Sequence, residues 1–313
     1  MVITFNYKDG AKTGTPILCA CIAFVIVLTT VIIPKQKLHK AMSLIDSGDY
    51  EAACALLEKV ENNAAIASNK YDRAIEFIDS GDYEVAYLLL DGLAYKDSSE
   101  KLQSIKPYYH QFLLSKASVG DNIFFGSYEQ DGDTSNGKED IEWLVLAKEN
   151  GKLLVISKYA LDCQPYNSSY TYTTWEKCSL RAWMNDDFLN NAFSVEEQSK
   201  IVTTNVSADK NPEYSTYPGF ATTDKVFLLS ITEAEKYFSS VSARQCKPTK
   251  YAIANGASVN YNNGNCWWWL RSPGSPQDDA PYVNRDGSVD YSGDRVNYVS
   301  DGVRPALWID LNS

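Results

Sequence analysis

The chain has 313 residues, 44% hydrophobic and 22% charged, which is enough apolar matter for a sizeable core and excludes global disorder. Its net charge of −11 excludes nonspecific nucleic-acid binding, which needs clustered Lys and Arg. The two histidines, His39 and His110, leave nothing beyond residue 110 for a His-rich zinc site or a Ser-His-Asp triad in the C-terminal part.

Seven cysteines occur at 19, 21, 54, 163, 178, 246 and 266, an odd number without any C-x-x-C spacing. Either Cys163/Cys178 or Cys246/Cys266 could be bridged if the chain is exported; buried thiols are the alternative. The aromatic set of 21 Tyr and 7 Trp against 11 Phe favours residues that combine an apolar body with a polar handle, as ligand-contacting surfaces do.

After a tail over 1–16, residues 17–33 read ILCACIAFVIVLTTVII, inside an uncharged window over 13–34. Seventeen helical residues span about 25 Å, near the lower limit for a hydrocarbon core. No small-x-small cleavage site follows, and Pro34-Lys35-Gln36-Lys37 stands in its place, so the segment is read as a retained single-pass anchor. Lysines flank both sides nearly equally and leave the orientation open.

The string IDSGDYE occurs at 45–51 and again at 78–84, a period of 33 residues. Each copy lies between helical stretches. Leu38, Ala41, Met42 and Ile45 precede the first and Ala52, Ala53, Leu56 and Leu57 follow it. Ala74, Ile75, Phe77 and Ile78 precede the second and Ala86, Leu89, Leu90 and Leu93 follow it. Gly48 and Gly81 are placed to close the first helix of each pair. Residues 38–105 resemble tetratricopeptide-like helical hairpins. A spacer is the plain reading and peptide capture in a groove the sharper one. Lys106-Pro107 is expected to end the helical part, with 106–118 as a linker.

From about Val119 the pattern changes. Ile141 to Leu146 and Lys152 to Ile156 flank Asn150-Gly151, a hairpin signal. Capping boxes at Thr173/Glu176, Ser194/Glu197 and Thr232/Glu235 are expected to open short helices. The first helix should carry Leu180, Trp183, Met184 and Phe188 on one face. Lys225 to Leu229 reads as a buried strand, and short strands and loops follow. Residues 119–313 are therefore expected to form an α+β domain.

The strings TWEKCSLRAWMN, DKVFLLS, WWWLRSPG and GVRPALWIDL carry a resemblance to a family of bacterial domains common in Gram-positive gut bacteria and often placed behind a membrane anchor. That family is similar to the C-type-lectin-like fold of formylglycine-generating enzymes and of variable proteins diversified by retroelements. The resemblance implies a C-type-lectin-like domain over 119–313. The copper-binding cysteine pair of the enzymes has no matching motif here. Calcium-dependent sugar binding by lectins lacks its Trp-Asn-Asp, with only Ser275-Pro276-Gln277-Asp278 present. No cofactor, metal or catalytic residue is expected on that basis.

The variable-protein comparison points to a binding face. Asn, Asp, Ser and Tyr fill 23 of the 47 positions over 255–301, interleaved with Val283, Val289, Val296 and Val299. These residue types also dominate antibody loops, where they supply adaptable contacts; plain surface turns are the alternative. The expected ligand-binding set is Asp279, Tyr282, Asn284, Asp286, Ser288, Asp290, Tyr291, Asp294, Asn297, Tyr298 and Ser300, with the valines inward. Val303 to Leu311 should form a core strand. At least one of Trp267, Trp268 and Trp269 should be core, since strand neighbours alternate faces. Arg271 and Arg304 are read as structural clamps. The run from Asp131 to Glu142 resembles a calcium loop but has Asn136 at the turn position and is read as a polar hairpin loop.

The resulting expectation is a bacterial cell-membrane protein, single-pass, with an extracellular non-enzymatic binding domain that meets a protein or glycan ligand and no nucleic acid. The alternatives are an enzyme derived from the formylglycine-generating fold, or a scaffold whose helical repeat holds a protein partner.

Overall fold

The computed structural model describes residues 64–312 and the isolated positions 40, 43, 44, 47 and 52. The expected anchor at 17–33 and the first repeat copy lie outside the described residues, apart from those isolated positions. Among the described residues no helix is long and apolar enough to cross a membrane. The chain divides into two units, one ending at Tyr109 and one beginning at His110.

In the first unit, α1 (Ala64–Ser80) and α2 (Tyr83–Leu90) meet at the second IDSGDYE. Gly81, at φ +78°, closes α1: its N–H donates to Ile78 O and the Asp82 N–H to Phe77 O, the Schellman pattern. Asp82 then caps α2, its carboxylate accepting from the Val85 N–H. Tyr71, Ala74, Ala86, Leu90 and Ile105 form the core of this unit. Tyr83 stacks on Tyr108 and Tyr87 on Tyr109, with ring centroids 4.5 and 4.0 Å apart.

The segment expected to link the two parts is instead helical, since α3 runs over Ser98–Lys116 with Pro107 inside it. A proline within a helix costs about 3 kcal/mol. Burial on both sides of it offsets that cost. Leu102 and Ile105 pack in the first unit, and Leu114 and Ala117 pack in the core of the second.

The second unit is α+β and holds two five-stranded sheets. The first, all antiparallel, comprises β1 (Asn122–Tyr128), β2 (Glu139–Glu149), β3 (Lys152–Ser157), β7 (Val226–Phe227) and β12 (Ala306–Asp310), in the order β1-β2-β3-β12-β7. Positive φ at Asn150 and Gly151 forms the primed turn of the β2–β3 hairpin, as the Asn-Gly pair predicts. The second comprises β4 (Asp162–Cys163), β8 (Trp268–Trp269), β9 (Asp279–Val283), β10 (Val289–Arg295) and β11 (Gly302–Val303), in the order β10-β9-β8-β11-β4, with β8 and β11 parallel. A small pair, β5 (Thr204–Val206) and β6 (Thr222–Asp224), stands apart.

Short helices follow β4. The expected face of Leu180, Met184 and Phe188 is buried and Trp183 half-buried, along α4 (Ser179–Trp183) and a π-turn over Met184–Phe188. Cys178 caps α4, not Thr173, through its sulfur and the Arg181 N–H. After α5 (Leu189–Ala192), Ser194 and Glu197 form the expected box on α6 (Val195–Lys200). On α7 (Ile231–Tyr237) the box is Ser230/Glu233, two residues before the expected Thr232/Glu235. Ile231 and Ala234 are fully buried, and packing that face fixes the earlier start. A fifth short helix, α8, covers Lys250–Ala254.

The expected strand from Val303 to Leu311 is two strands in different sheets. Arg304 and Pro305 carry the chain across, and Pro305 has no N–H to continue a ladder. Gly302 must be glycine, because a Cβ would lie 2.6 Å from the Ala160 Cβ.

Both Trp268 and Trp269 are buried, because both faces of the second sheet are covered at this point. Their indole N–H groups donate to Arg244 O and Gln164 O. Val283 and Val296 are fully buried, Val289 only half-buried, and Val299 is 60% exposed. Val299 departs from the expected inward set: a turn follows Val296, with the Tyr298 N–H donating to Arg295 O, and it breaks the alternation that points the other valines inward.

Candidate functional site

The β9–β10 hairpin brings most of the expected binding residues into one region, but it divides them among four environments. In the turn, the Ser288 N–H and hydroxyl both donate to Asp286 Oδ1, and the Gly287 N–H donates to Asn284 O. These bonds hold the Asp286 carboxyl below its usual range. The turn also packs tightly. Arg244 Nε donates to Gly287 O at 2.8 Å, and a Cβ on Gly287 would lie 1.8 Å from Val241 O. Asn284, Asp286 and Ser288 therefore close the hairpin with much of their hydrogen-bonding capacity.

Tyr282 and Asp290 face each other across β9 and β10, with the Tyr282 hydroxyl donating to Asp290 Oδ2 at 3.2 Å. Asp290 Oδ1 accepts from Ser292 Oγ and from the Gly293 N–H. Gly293, at φ +83°, sits in a bulge between Asp290 and Asp294 where a Cβ would strike the Ala280 carbonyl carbon at 2.5 Å. The bulge carries Asp294 to a place where it interacts electrostatically with Asp279, Asp290, Asp301 and Tyr282.

Beside Tyr282 stands Trp267, half-buried, with ring centroids 6.2 Å apart. The Arg285 guanidinium lies 3.7 Å over the Trp267 ring and donates to Ser258 Oγ, and its buried Nε–H has no hydrogen-bond partner. Burial, then Asp278 and Asp294, raise the Asp279 carboxyl to about 6. Burial, then Asp294, raise Asp301 to about 7. Asp294 is also raised, by burial first and Asp290 after it. This face thus combines two aromatic rings with the carboxyl groups of Asp290 and Asp294, the latter raised by burial.

Tyr291 leaves this group, since its hydroxyl donates to Glu235 on α7 and its carbonyl accepts from Asn211. Asn297 and Tyr298 are exposed in the turn after β10. Ser300 donates to Asp301 Oδ2 at 3.4 Å. The sequence reading left out Trp267, Arg285 and Asp301 as site members. Asp301 carried a usable signal, because it adjoins Gly302-Val303, where an aspartate beside buried strand residues is unusual.

Other candidate centres are built differently. In the β1–β2 loop the carboxylates of Glu129, Asp131 and Glu139 approach within 4.8 Å of one another, and each accepts backbone N–H groups of that loop. Glu142 turns away to Lys158 at 2.8 Å, so the structure does not arrange Asp131 to Glu142 as a calcium loop. A shallow recess of about 320 Å³, lined by Glu149, Asn150, Lys152, Val202, Thr204 and Trp308, holds none of the expected residues. Arg271 clamps the fold through Glu233, Asp209 and Leu228 O. Cys246 and Cys266, unrelated in sequence context, meet through the backbone, the Cys266 N–H donating to Cys246 O at 2.9 Å, while the Cys246 thiol donates to Lys158 O and Lys247 O. Cys163 donates to Val299 O and Cys178 to Trp175 O, with no partner in common.

No curated protein and no solved structure matches the chain. Residues 150–311 match a family model described as a domain of unknown function, DUF6273, and this span takes in every expected binding residue. The match covers more than half of the 313 residues, and the protein belongs to the DUF6273 family.

Proposed function

We propose that the protein is a single-pass, membrane-anchored binding protein of receptor or adhesin type, non-enzymatic, with a C-type-lectin-like domain outside the cell. Its ligand, a glycan or a protein, meets the face of Trp267, Tyr282, Asp290 and Asp294. One observation carries this reading: the half-buried rings of Trp267 and Tyr282 stand beside the Asp290 carboxylate, which accepts from the Tyr282 hydroxyl, on a strand pair fixed from behind by Val283 and Val296. Aromatic faces stack on sugars and on peptide side chains, and carboxyl groups supply directional hydrogen bonds. The family resemblance and the C-terminal β12, seated between β3 and β7, support the lectin-like fold.

The test is a glycan and protein array probed with the full chain in detergent. Any ligand found is then titrated against Trp267→Ala and Asp290→Asn. Loss of binding by tenfold or more in both variants, with melting unchanged, supports the reading. A ligand that both variants bind as tightly as the original chain overturns it. An enzyme built on the formylglycine-generating fold is the second reading, and it needs Cys246 and Cys266 together in an open cleft. Both residues are buried, at 2% and 0% exposure, which keeps a peptide substrate from reaching them.

A further inference from the structure

Two long connections of the second unit, 164–178 between β4 and α4 and 207–221 between β5 and β6, contain neither helix nor strand. Ordered irregular segments of that length are uncommon and usually serve binding. Gln277, just before β9, ties the two together. Its Nε2 donates to Thr173 O at 2.9 Å and to Tyr217 O at 3.0 Å, and its carbonyl accepts from the Thr173 N–H. The Thr216 hydroxyl donates to Ser275 O, and the Phe220 N–H donates to Glu176 Oε2. Gly219 backs onto Thr174, where a Cβ would lie 2.9 Å from the Thr174 Cβ. The polar groups of these loops hold them to each other, and the aromatic side chains are left outside. Tyr172, Phe220, Tyr217 and Tyr170 are 77%, 68%, 54% and 49% exposed. Tyr217 and Phe220 meet edge to face with centroids 6.1 Å apart, so their rings make a corner, and the Arg295 guanidinium lies 5.3 Å over the Tyr170 ring. A cluster of exposed rings on braced loops, rimmed by polar residues, marks an interaction site.

We propose that these two loops form a binding platform for a neutral polysaccharide chain, with Tyr172, Tyr217 and Phe220 stacking on its sugar rings. The chemistry of the loops selects this occupant. A protein partner is gripped at a contiguous apolar centre, where aliphatic groups fill the space between aromatic ones. Neither loop contains a Val, Leu, Ile or Met, and Ser, Thr and Asn stand between the aromatic residues instead. A sugar ring matches that pattern, since its flat C–H face stacks on an aromatic ring and its rim of hydroxyls needs small polar partners. Glu176, Asp209, Glu213 and Asp278 outnumber Lys177 and Lys210 over 164–178, 207–221 and 273–278, which repels an acidic polymer. The bracing also lowers the cost of binding, because the loops are already ordered and each ring has few rotamers to lose. The platform uses none of Trp267, Tyr282, Asp290 and Asp294, so it stands whether or not that face binds a ligand.

The experiment runs the full chain in non-ionic detergent through native gels that each contain one soluble polysaccharide. The neutral probes are mixed-linkage β-glucan, galactomannan, xylan and starch, and polygalacturonate is the acidic one. At least one neutral polymer should slow the chain, and polygalacturonate should not. The double variant Tyr172→Ala with Phe220→Ala should weaken that binding about tenfold or more, as expected for two lost stacking contacts. Phe220→Tyr keeps a ring and should bind as the original chain does. Trp267→Ala should stay within about twofold, which separates this platform from the Trp267 face. All variants should melt as the original chain does, since the changed side chains at 172 and 220 are exposed and Trp267 is half-buried. No retardation by any neutral polymer, equal or stronger retardation by polygalacturonate, or equal retardation of the double variant would overturn the proposal. So would loss of sugar binding in Trp267→Ala alone, which returns the ligand to that face, or a ligand found only among proteins and lost in the double variant, which gives these loops to a protein partner.

Discussion

The turn at 284–288 and the strand pair it closes are written in the same residues, Asn, Asp and Ser, with opposite consequences. In the turn, Asp286 is satisfied by Ser288, and its carboxyl is held low. On the strands, Asp279 and Asp294 and the neighbouring Asp301 gather with few donors, and burial raises all three. The backbone makes the difference. A tight turn points its N–H groups at the nearest side-chain oxygen, whereas a strand has already committed them to the ladder. Polar composition alone therefore does not mark a binding surface; carboxylates without enough partners do so better.

The sharpest test of this division is the valine framework behind it. Val296→Asp should unfold the second unit, because it buries an unpaired charge at a fully enclosed position, at a cost of about 4 kcal/mol or more. Thermal melts of the full chain will show it as loss of the cooperative transition.

Next in size is the turn. Gly287→Ala places a Cβ on Val241 O at a residue with φ +90°, and should cost about 2–3 kcal/mol by chemical denaturation. Were it neutral, the turn would be a free display loop after all.

A smaller effect separates the raised carboxyls from the satisfied ones. Asp301 is raised from 3.8 to about 7 in the fold. Its neutral form is favoured there, so the stability it contributes is complete below about pH 4 and is lost as pH rises through 7. Melting temperature should fall over that interval, and Asp301→Asn should flatten the fall and melt higher than the original chain at pH 8. An unchanged pH profile in the variant would show that Asp301 is compensated.

Smallest of all, Val299→Asp, Asn297→Ala and Tyr298→Ala should each stay within about 0.5 kcal/mol, since all three residues are exposed. Denaturant midpoints check this. A large loss at Val299 would restore it to the inner framework.

Local pattern alone placed the β2–β3 hairpin at Asn150-Gly151, the helix break at Gly81 and the capping box at Ser194/Glu197, because each rests on neighbours a few residues apart. Other features needed the assembled core. The shift of the α7 cap to Ser230 follows from burying Ile231, and the helix through Pro107 survives on contacts made at both of its ends. The split of the last strand follows from Arg304 and Pro305 crossing between sheets. The candidate face divides in the same way. Tyr282, Asp290 and Asp294 were legible from their alternation with valine, whereas Trp267 and Arg285 join them only through cross-strand and loop packing. Cys246 and Cys266 could be named as a possible pair from the sequence, but their burial was decided only by packing. Proximity between residues 20 or more positions apart, and the dielectric that sets their charge, exist only once the chain has packed.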